Sequence, residues 1–397
     1  AASPSFSDVR AAVSRAKAGD TVIVPSGSAT WTSNLVITKG IKLIGAGIGQ
    51  TVITGGYTNS GSYFETSGYL ISYEPSHPEL NEPFRLSGFT INFSNRCWGI
   101  LLRNRTISAI NKVRIDHCNL SGSKGGAELI MAYGTVYGCI DNCVMDGGYF
   151  MFRSLGLNDK TWSNLRFDFG TGDNLYFEDN EITVSSQDCC IEGGAGGRYA
   201  IRHNIIRSNY NAFAQCFDIH GNSRSSNHAT MGAEIYDNTI YYPNIPSGGQ
   251  FVDHRGGKLL YYNNNIISPA PTFFVNVREE ARDSENLPAS SPISGQPQHI
   301  SDSYYWNNMR NGTPIATSSY SISGTVNYGA APSEAPFRVV PQWNLDCWRE
   351  TTPFTGAAGV GVGPLSARPS TGLTVGVGYW ATDTKTLYRA TSATTWE

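Results

Sequence analysis

The chain has 397 residues, of which 15% are charged and 12% aromatic, with a formal net charge of −3 at pH 7. A generic nucleic-acid binder is more basic than this. No run approaches the ~18 consecutive apolar residues of a membrane span, and aromatics spread along the whole length argue against disorder. The 43 glycines and 19 prolines supply turns and leave room mainly for short strands.

In chain order, the first predicted element is a helix. Ser7 is placed to cap it, Val9, Val13 and Ala16 share one face, and Gly19 ends it after about Ala18. Short strand candidates follow at 21–24, 35–38 and 41–44. Residues 1–34 read as a cap for a coil, because open strand edges at a coil's end invite aggregation. The opening Ala-Ala-Ser-Pro fits either the remnant of a cleaved targeting peptide or an arbitrary start.

Next comes a repeat: an apolar residue, two others, Asn or Cys, one residue, and an apolar residue again. It runs IDHCNL (115–120), IDNCVM (140–145), FEDNEI (177–182), IRHNII (201–206), IYDNTI (235–240) and YYNNNI (261–266), with a degraded copy at YWNNM (305–309). The fourth position holds Cys118, Cys143, Asn180, Asn204, Asn238 and Asn264, spaced 24 to 37 residues apart. Alternation of apolar residues on either side of that position predicts strand, bend, strand. Asn suits the bend, since it tolerates the left-handed region and bonds nearby backbone. One Asn per repeat predicts an amide ladder. Cys118 and Cys143 at stacked bends fit either a disulfide or an apolar thiol ladder. Eight cysteines are too few for a disulfide scaffold at this length, and no pair of CxxC motifs suggests a zinc module.

A further strand candidate separates successive copies: GILLRN (99–104), LIMAYG (129–134), YFMFRS (149–154), DCCIEGG (188–194), CFDIHG (216–221), FVDHRG (251–256) and FFVNVRE (273–279). Three short strands per turn of about 29 residues describe a stacked coil with loops of variable length. After about residue 280 the sequence turns rich in Ser, Pro and Gln. The predicted division is therefore a coil over 1–310 and an end cap with a β-rich tail over 311–397.

AGDTVIVPSGSATW, then ITKGIKLIGAG, then the Asn-bend repeats, resembles right-handed parallel β-helix proteins of the pectin-lyase-like superfamily, over roughly residues 5–310. The resemblance implies an all-β, right-handed, single-stranded parallel β-helix. That superfamily spans polysaccharide lyases, glycoside hydrolases, uronate epimerases, phage tailspikes and adhesins. The chain lacks the Asn-Thr-Asp, Gly-His-Gly and Arg-Ile-Lys set of polygalacturonase-type hydrolases and the Arg-x-Pro-x-x-Arg of pectate lyases. The final segment, GYWATDTKTLYRATSATTW, resembles short tails of phage and surface β-helix proteins. The resemblance implies a secreted protein or one at a cell or virion surface, as a monomer or homotrimer.

Side chains alternate inward and outward along each strand. Aligned on their terminal small residue, the separating strands place Leu102, Ala132, Phe152, Ile191, Ile219, His254 and Val277 inward. Arg103, Tyr133, Arg153, Glu192, His220, Arg255 and Arg278 then form an outward row, with Asp218, Asp253 and Asn276 beside it. His254 either lies buried and hydrogen-bonded or marks a strand of reversed parity. An excess of arginine suits a linear anionic ligand, since Arg pairs carboxylates bidentately, and Tyr133 is placed to stack on a sugar. The bland alternative is a solvated sheet of compensating ion pairs. Lys258, His228 and Lys124 fall on loops that would close over a ligand; His117 and His203 fall at bends and read as structural.

Two reactions fit these residues. In β-elimination of a uronate chain, Arg neutralises the carboxylate, a base removes the C5 proton and an acid assists the leaving oxygen. His220, Arg255 or Lys258 would be the base, and Arg278 or Arg153 the carboxylate clamp. Asp218, Asp253 and Glu192 offer the hard oxygen ligands that calcium takes. In glycoside hydrolysis, Asp218 with Asp253, or Glu192 with Asp253, would be the carboxyl pair. Elimination of an acidic polysaccharide is the leading expectation, with His220, Arg255, Asp218 and Asp253 catalytic and Tyr133, Arg153, Glu192, Arg278 and Lys258 binding substrate. Glycan binding without cleavage, as in tailspikes and adhesins, is the other class.

Overall fold

The computed structural model describes residues 1–56, 68–93, 97–122, 128–148, 150–157, 167–185, 190–208, 215–221, 229–242, 250–269, 273–281, 300–327 and 340–397. Each repeat of the sequence contributes one strand to each of three sheets, and every third strand along the chain is a hydrogen-bonded neighbour. Among the described residues, the first sheet has eleven strands, from Thr21–Val24 to Cys347–Arg349. The second has eleven, from Gly27–Trp31 to Thr313–Pro314, and the third has ten, from Leu35–Ile37 to Tyr320–Asn327. Pairing is parallel throughout except at the last two strands of the second sheet. The protein is thus a right-handed parallel β-helix, as the repeats imply.

The inward columns explain why the pattern winds this way. In the first sheet Ile115, Ile140, Phe177, Ile201, Ile235, Tyr261 and Tyr305 are register partners, and all are fully buried. Leu120, Met145, Ile182, Ile206, Ile240 and Ile266 do the same in the second. These are the first and last apolar positions of the repeat, now stacked coil on coil.

The amide ladder forms at the predicted sites. Asn180, Asn204, Asn238 and Asn264 each direct both Nδ2 and backbone N–H to Oδ1 of the next, at 3.0–3.2 Å, and Asn308 receives the last pair. Cys143 joins through its backbone N–H, which donates to Asn180 Oδ1 at 3.0 Å. The left-handed residue of each bend is the one before the ladder position: His117, Asn142, Asp179, His203, Asp237, Asn263 and Asn307 all have φ between 50° and 57°. His117 and His203 therefore shape bends. Cys118 and Cys143 are free, buried thiols, not a disulfide; Cys189 lies outside the described residues.

The coil's start is covered by the helix Phe6–Arg15. Its cap is Ser5, whose Oγ accepts from the Asp8 N–H, and not Ser7; it ends before Ala16. Ser7 lies within the first turn, and only Val9 and Val13 of the expected face are buried in the helix. At the other end, strands of the coil continue past the expected boundary at 310, through Tyr320–Asn327 and Cys347–Arg349. A three-stranded sheet of Val360–Gly363, Gly378–Ala381 and Thr386–Arg389 follows. It packs Val360, Trp380 and Leu387 against Leu260, Tyr304, Trp306 and Trp348 of the first sheet.

Candidate functional site

The outward face of the third sheet carries the residues singled out by sequence, but in two columns. One contains Leu101, Met131, Arg153, Glu192, Asp218, Asp253 and Asn276. The other holds Arg103, Tyr133 and Leu155, and His220, Arg255 and Arg278 lie one residue beyond paired positions further along the sheet. Arg153 and Glu192 thus leave the expected arginine row and join the aspartates. The parity of the strands is as read; the register differs by two residues at Phe152 and Ile191. The inward partners of Ala132 and Ile219 are Ser154 and Gly193. Gly193 is required, since a Cβ there would lie 2.1 Å from the Tyr199 ring, which fills that part of the core. An alignment that demands an apolar residue at every inward position slides past this exchange.

His254 points inward. It is fully buried, with Nδ1 2.7 Å from Tyr305 Oη and Nε2 3.2 Å from the Gly257 carbonyl. Burial lowers its pKa to about 4, so the ring is neutral.

The outward charges are compensated. Arg153 donates from Nη1 to Glu128 at 2.9 Å and from Nε to Glu192 at 2.7 Å, and Glu128 also accepts from Tyr69 Oη at 2.5 Å. Arg255 donates from Nε and Nη2 to Asp218 and from Nη1 to Glu280 at 2.9 Å, and its Nε stands 3.4 Å from Asp253. Arg278 pairs bidentately with Asp253. Arg153, Glu192, Asp218, Asp253, Arg255 and Glu280 are all buried. The expected surplus of arginine is therefore absent here: Glu128 and Glu280, which fall outside the notable sequence windows, complete the pairing. Burial works against the charge of Arg255, but Asp218, Glu280 and Asp253 outweigh it and raise its pKa. Burial and the adjacent Asp218 charge raise the pKa of Asp253, against the Arg278 hydrogen bonds. Asp218 moves the other way: burial opposes ionisation, yet the charges of His220 and Arg255 prevail and lower its pKa.

Two of these cations reach the surface. The His220 side chain is 24% exposed and that of Arg278 28%. Nδ1 of His220 lies 3.0 Å from Glu280 and Nε2 lies 3.3 Å from Asp218. Burial alone would lower its pKa; the charge of Asp218, then Glu192 and the hydrogen bond to Glu280, overcome that and the opposing Arg255, so the pKa is raised. Arg278 uses Nε and Nη2 on Asp253, and its Nη1 meets no acceptor among the described residues. Tyr133 is half-buried against Met131 and Leu101. Lys258 is not part of this face. It opens the strand Lys258–Tyr262 of the first sheet and pairs with Asp302 at 3.2 Å. His228 and Lys124 lie outside the described residues.

Glu192, Asp218 and His220 bring one ligand atom each within 4.8 Å of one another. This set does not suit calcium, which takes six to eight oxygen ligands. Both carboxylates are already held by Arg153 and Arg255, the third group is an imidazole, and Asp253 is bound by Arg278.

No family model matches the chain, and no curated relative matches it. Among solved structures it is similar to a protein described as Geobacillus virus E2 ORF18, at 13% identity and a TM-score of 0.44, over 81% of this chain and 56% of that one. The chain thus spans about half the length of that viral protein. It is also similar to a pectin methylesterase in complex with a hexasaccharide (12% identity, TM-score 0.45, 81% and 88% of the two chains). A third is the Yersinia enterocolitica family 28 exopolygalacturonase (12%, 0.38, 86% and 66%). At such identities the likeness is one of architecture and says nothing of chemistry.

Proposed function

We propose that the protein cleaves an acidic polysaccharide by β-elimination on the outward face of the third sheet. The observation that carries this reading is the pair of partly exposed cations, His220 and Arg278, standing over a buried layer of carboxylates. Glu280 orients the imidazole through Nδ1, as a base is oriented by a third group in other catalytic constellations. Nε2, 3.3 Å from Asp218, is the nitrogen left to meet substrate. Neutral His220 accepts the C5 proton of a uronate, electron density moves into the sugar carboxylate, and Arg278 stabilises it through the edge not spent on Asp253. The C4–O bond breaks as the C4=C5 double bond forms, and a proton reaches the leaving oxygen from water or from the imidazolium just made. Arg255, Asp218 and Asp253 act as positioning residues in this scheme, and Arg153 with Glu192 braces the neighbouring coils. Hydrolysis by Asp218 and Asp253 fits less well, because both carboxyls are buried beneath guanidinium groups.

The test is incubation of the full chain with a panel of polyuronates and glycosaminoglycans. Ultraviolet absorbance from unsaturated ends is followed together with release of reducing ends. Both signals rising on one substrate supports elimination. Reducing ends alone would assign hydrolysis, and affinity with neither signal would assign a binding protein of the tailspike or adhesin class.

A further inference from the structure

A cavity of about 660 Å³ lies on a different face, between the outward side of the first sheet and the C-terminal three-stranded sheet. That volume falls within the range of about 300–1,000 Å³ typical of small-ligand sites. The proposed elimination uses none of its residues.

Its walls combine three features. The first is aromatic. Tyr262 lines the cavity, its two faces covered by Tyr236 and Trp306 of the neighbouring coils, with centroids 4.7 and 4.3 Å away and planes within 6°. Trp380 from the terminal sheet tilts over this column, 5.2 Å from Tyr262 at 45°. The second is a buried carboxyl. Glu234 is 3% exposed and lines the cavity. Its Oε1 accepts from the Gly170 N–H at 2.9 Å and from Asn174 Nδ2 at 3.0 Å, while Oε2 has no donor among the described residues. Burial raises its pKa, against the hydrogen bonds from Gly170 and Asn174. The third is an ion cluster at the other wall: Asp302 receives Lys258 at 3.2 Å and Arg389 at 2.9 Å.

This chemistry selects a ligand class. Tyr262, whose two faces are taken by Tyr236 and Trp306, presents its edge to the cavity, and Trp380 and Leu387 add apolar wall for the C–H surface of a sugar ring. Fixed carboxylates and paired cations offer hydroxyl groups both donors and acceptors. An anionic ligand is disfavoured, because four side-chain carboxylates along the wall face three cations, and two of those three, Lys258 and Arg389, are already paired with Asp302. A cationic ligand would enter beside Lys258 and Arg389. We infer that this cavity is a second carbohydrate site, which takes a neutral saccharide of one or two rings, with Trp380 and the edge of Tyr262 as its apolar wall and Glu234 Oε2 as the hydroxyl partner. The reading is independent of the third sheet.

The experiment is calorimetric titration of the full chain with cellohexaose, xylohexaose, laminarihexaose and maltohexaose, and with trigalacturonate as the acidic comparison. At least one neutral oligosaccharide is expected to bind, and Glu234→Gln, which keeps the shape of the side chain, is expected to weaken it about tenfold or more. Trp380→Ala is expected to abolish binding; because Trp380 also belongs to the apolar packing of the terminal sheet, the Glu234→Gln result decides. His220→Ala leaves this binding intact even where it abolishes cleavage, so the two sites fail separately. Absence of heat with all four neutral sugars, affinity unchanged in Glu234→Gln, or preference of this cavity for trigalacturonate would overturn the inference.

Discussion

His220 and Glu280 belong to strands two coils apart on the third sheet, yet His220 Nδ1 stands 3.0 Å from Glu280 Oε2. Winding creates this pair. It also places Arg255 against Glu280 and Asp218, the two carboxylates that face His220. A face that reads as a row of free arginines is instead a buried salt lattice with two cations at its surface.

Removing the lattice's hub exposes that design. Arg255→Met would leave Glu280 and Asp218 buried with less positive charge beside them. The expected loss is about 3–5 kcal/mol, the usual consequence of breaking a buried pair by deleting one partner. Urea unfolding of the variant measures it. A loss below about 1 kcal/mol, the scale of a surface ion pair, would show that the lattice is solvated.

The amide ladder makes a second prediction. Asn238 accepts two hydrogen bonds from Asn204 and donates to Asn264 Oδ1 and to the Ile201 and Tyr236 carbonyls. Asn238→Ala strands those buried groups, each lost partner costing about 1–3 kcal/mol. Thermal unfolding is expected to move down by an amount equivalent to about 3 kcal/mol or more. A shift within error would mean that the ladder is a consequence of the bend and not a support for it.

His254 sets a pH dependence. Its folded pKa is about 4, below the unfolded value, so the unfolded state binds more protons as acidity rises. Stability from this residue is complete above the unfolded pKa and falls by roughly 3 kcal/mol as pH drops through the folded pKa. Asp218 and Glu280, with lowered pKa values, lose their contribution in the acid range as well. The raised pKa of His220 has the opposite sign: its contribution is present at low pH and is lost as pH rises through the folded value. The stability gap between the wild-type protein and His254→Gln is therefore expected to shrink between about pH 7 and about pH 4. A constant gap would contradict a neutral buried imidazole.

The coil itself was legible because its determinants are local and periodic. Ile115 to Leu120 shows one turn of the pattern, and the ladder at Asn180, Asn204, Asn238 and Asn264 repeats it. Strand parity set His254 in the inward column but left a reversed strand open, because an imidazole among apolar partners fits either reading. Register was harder, since Gly193 sits inward where the ring of Tyr199, from another sheet, fills the space a side chain would take, and its partner Ser154 is polar. Glu128 and Glu280 went unnoticed because each lies at the end of a strand outside the compared windows. Glu234 gives no sequence signal: its burial depends on Gly170 and Asn174, more than sixty positions earlier or close to it, folding back over the first sheet.

The most direct test of the proposed chemistry is the pH–rate profile of unsaturated-end formation on the best polyuronate, for the wild-type protein and His220→Ala. The rate is expected to climb with pH through a pKa above the ordinary histidine value, as the base loses its proton. In His220→Ala it is expected to fall by about 10²–10⁴-fold, with the protein still folded at the assay temperature. A wild-type rate in His220→Ala, or reducing ends released with no absorbance, would contradict elimination at this face.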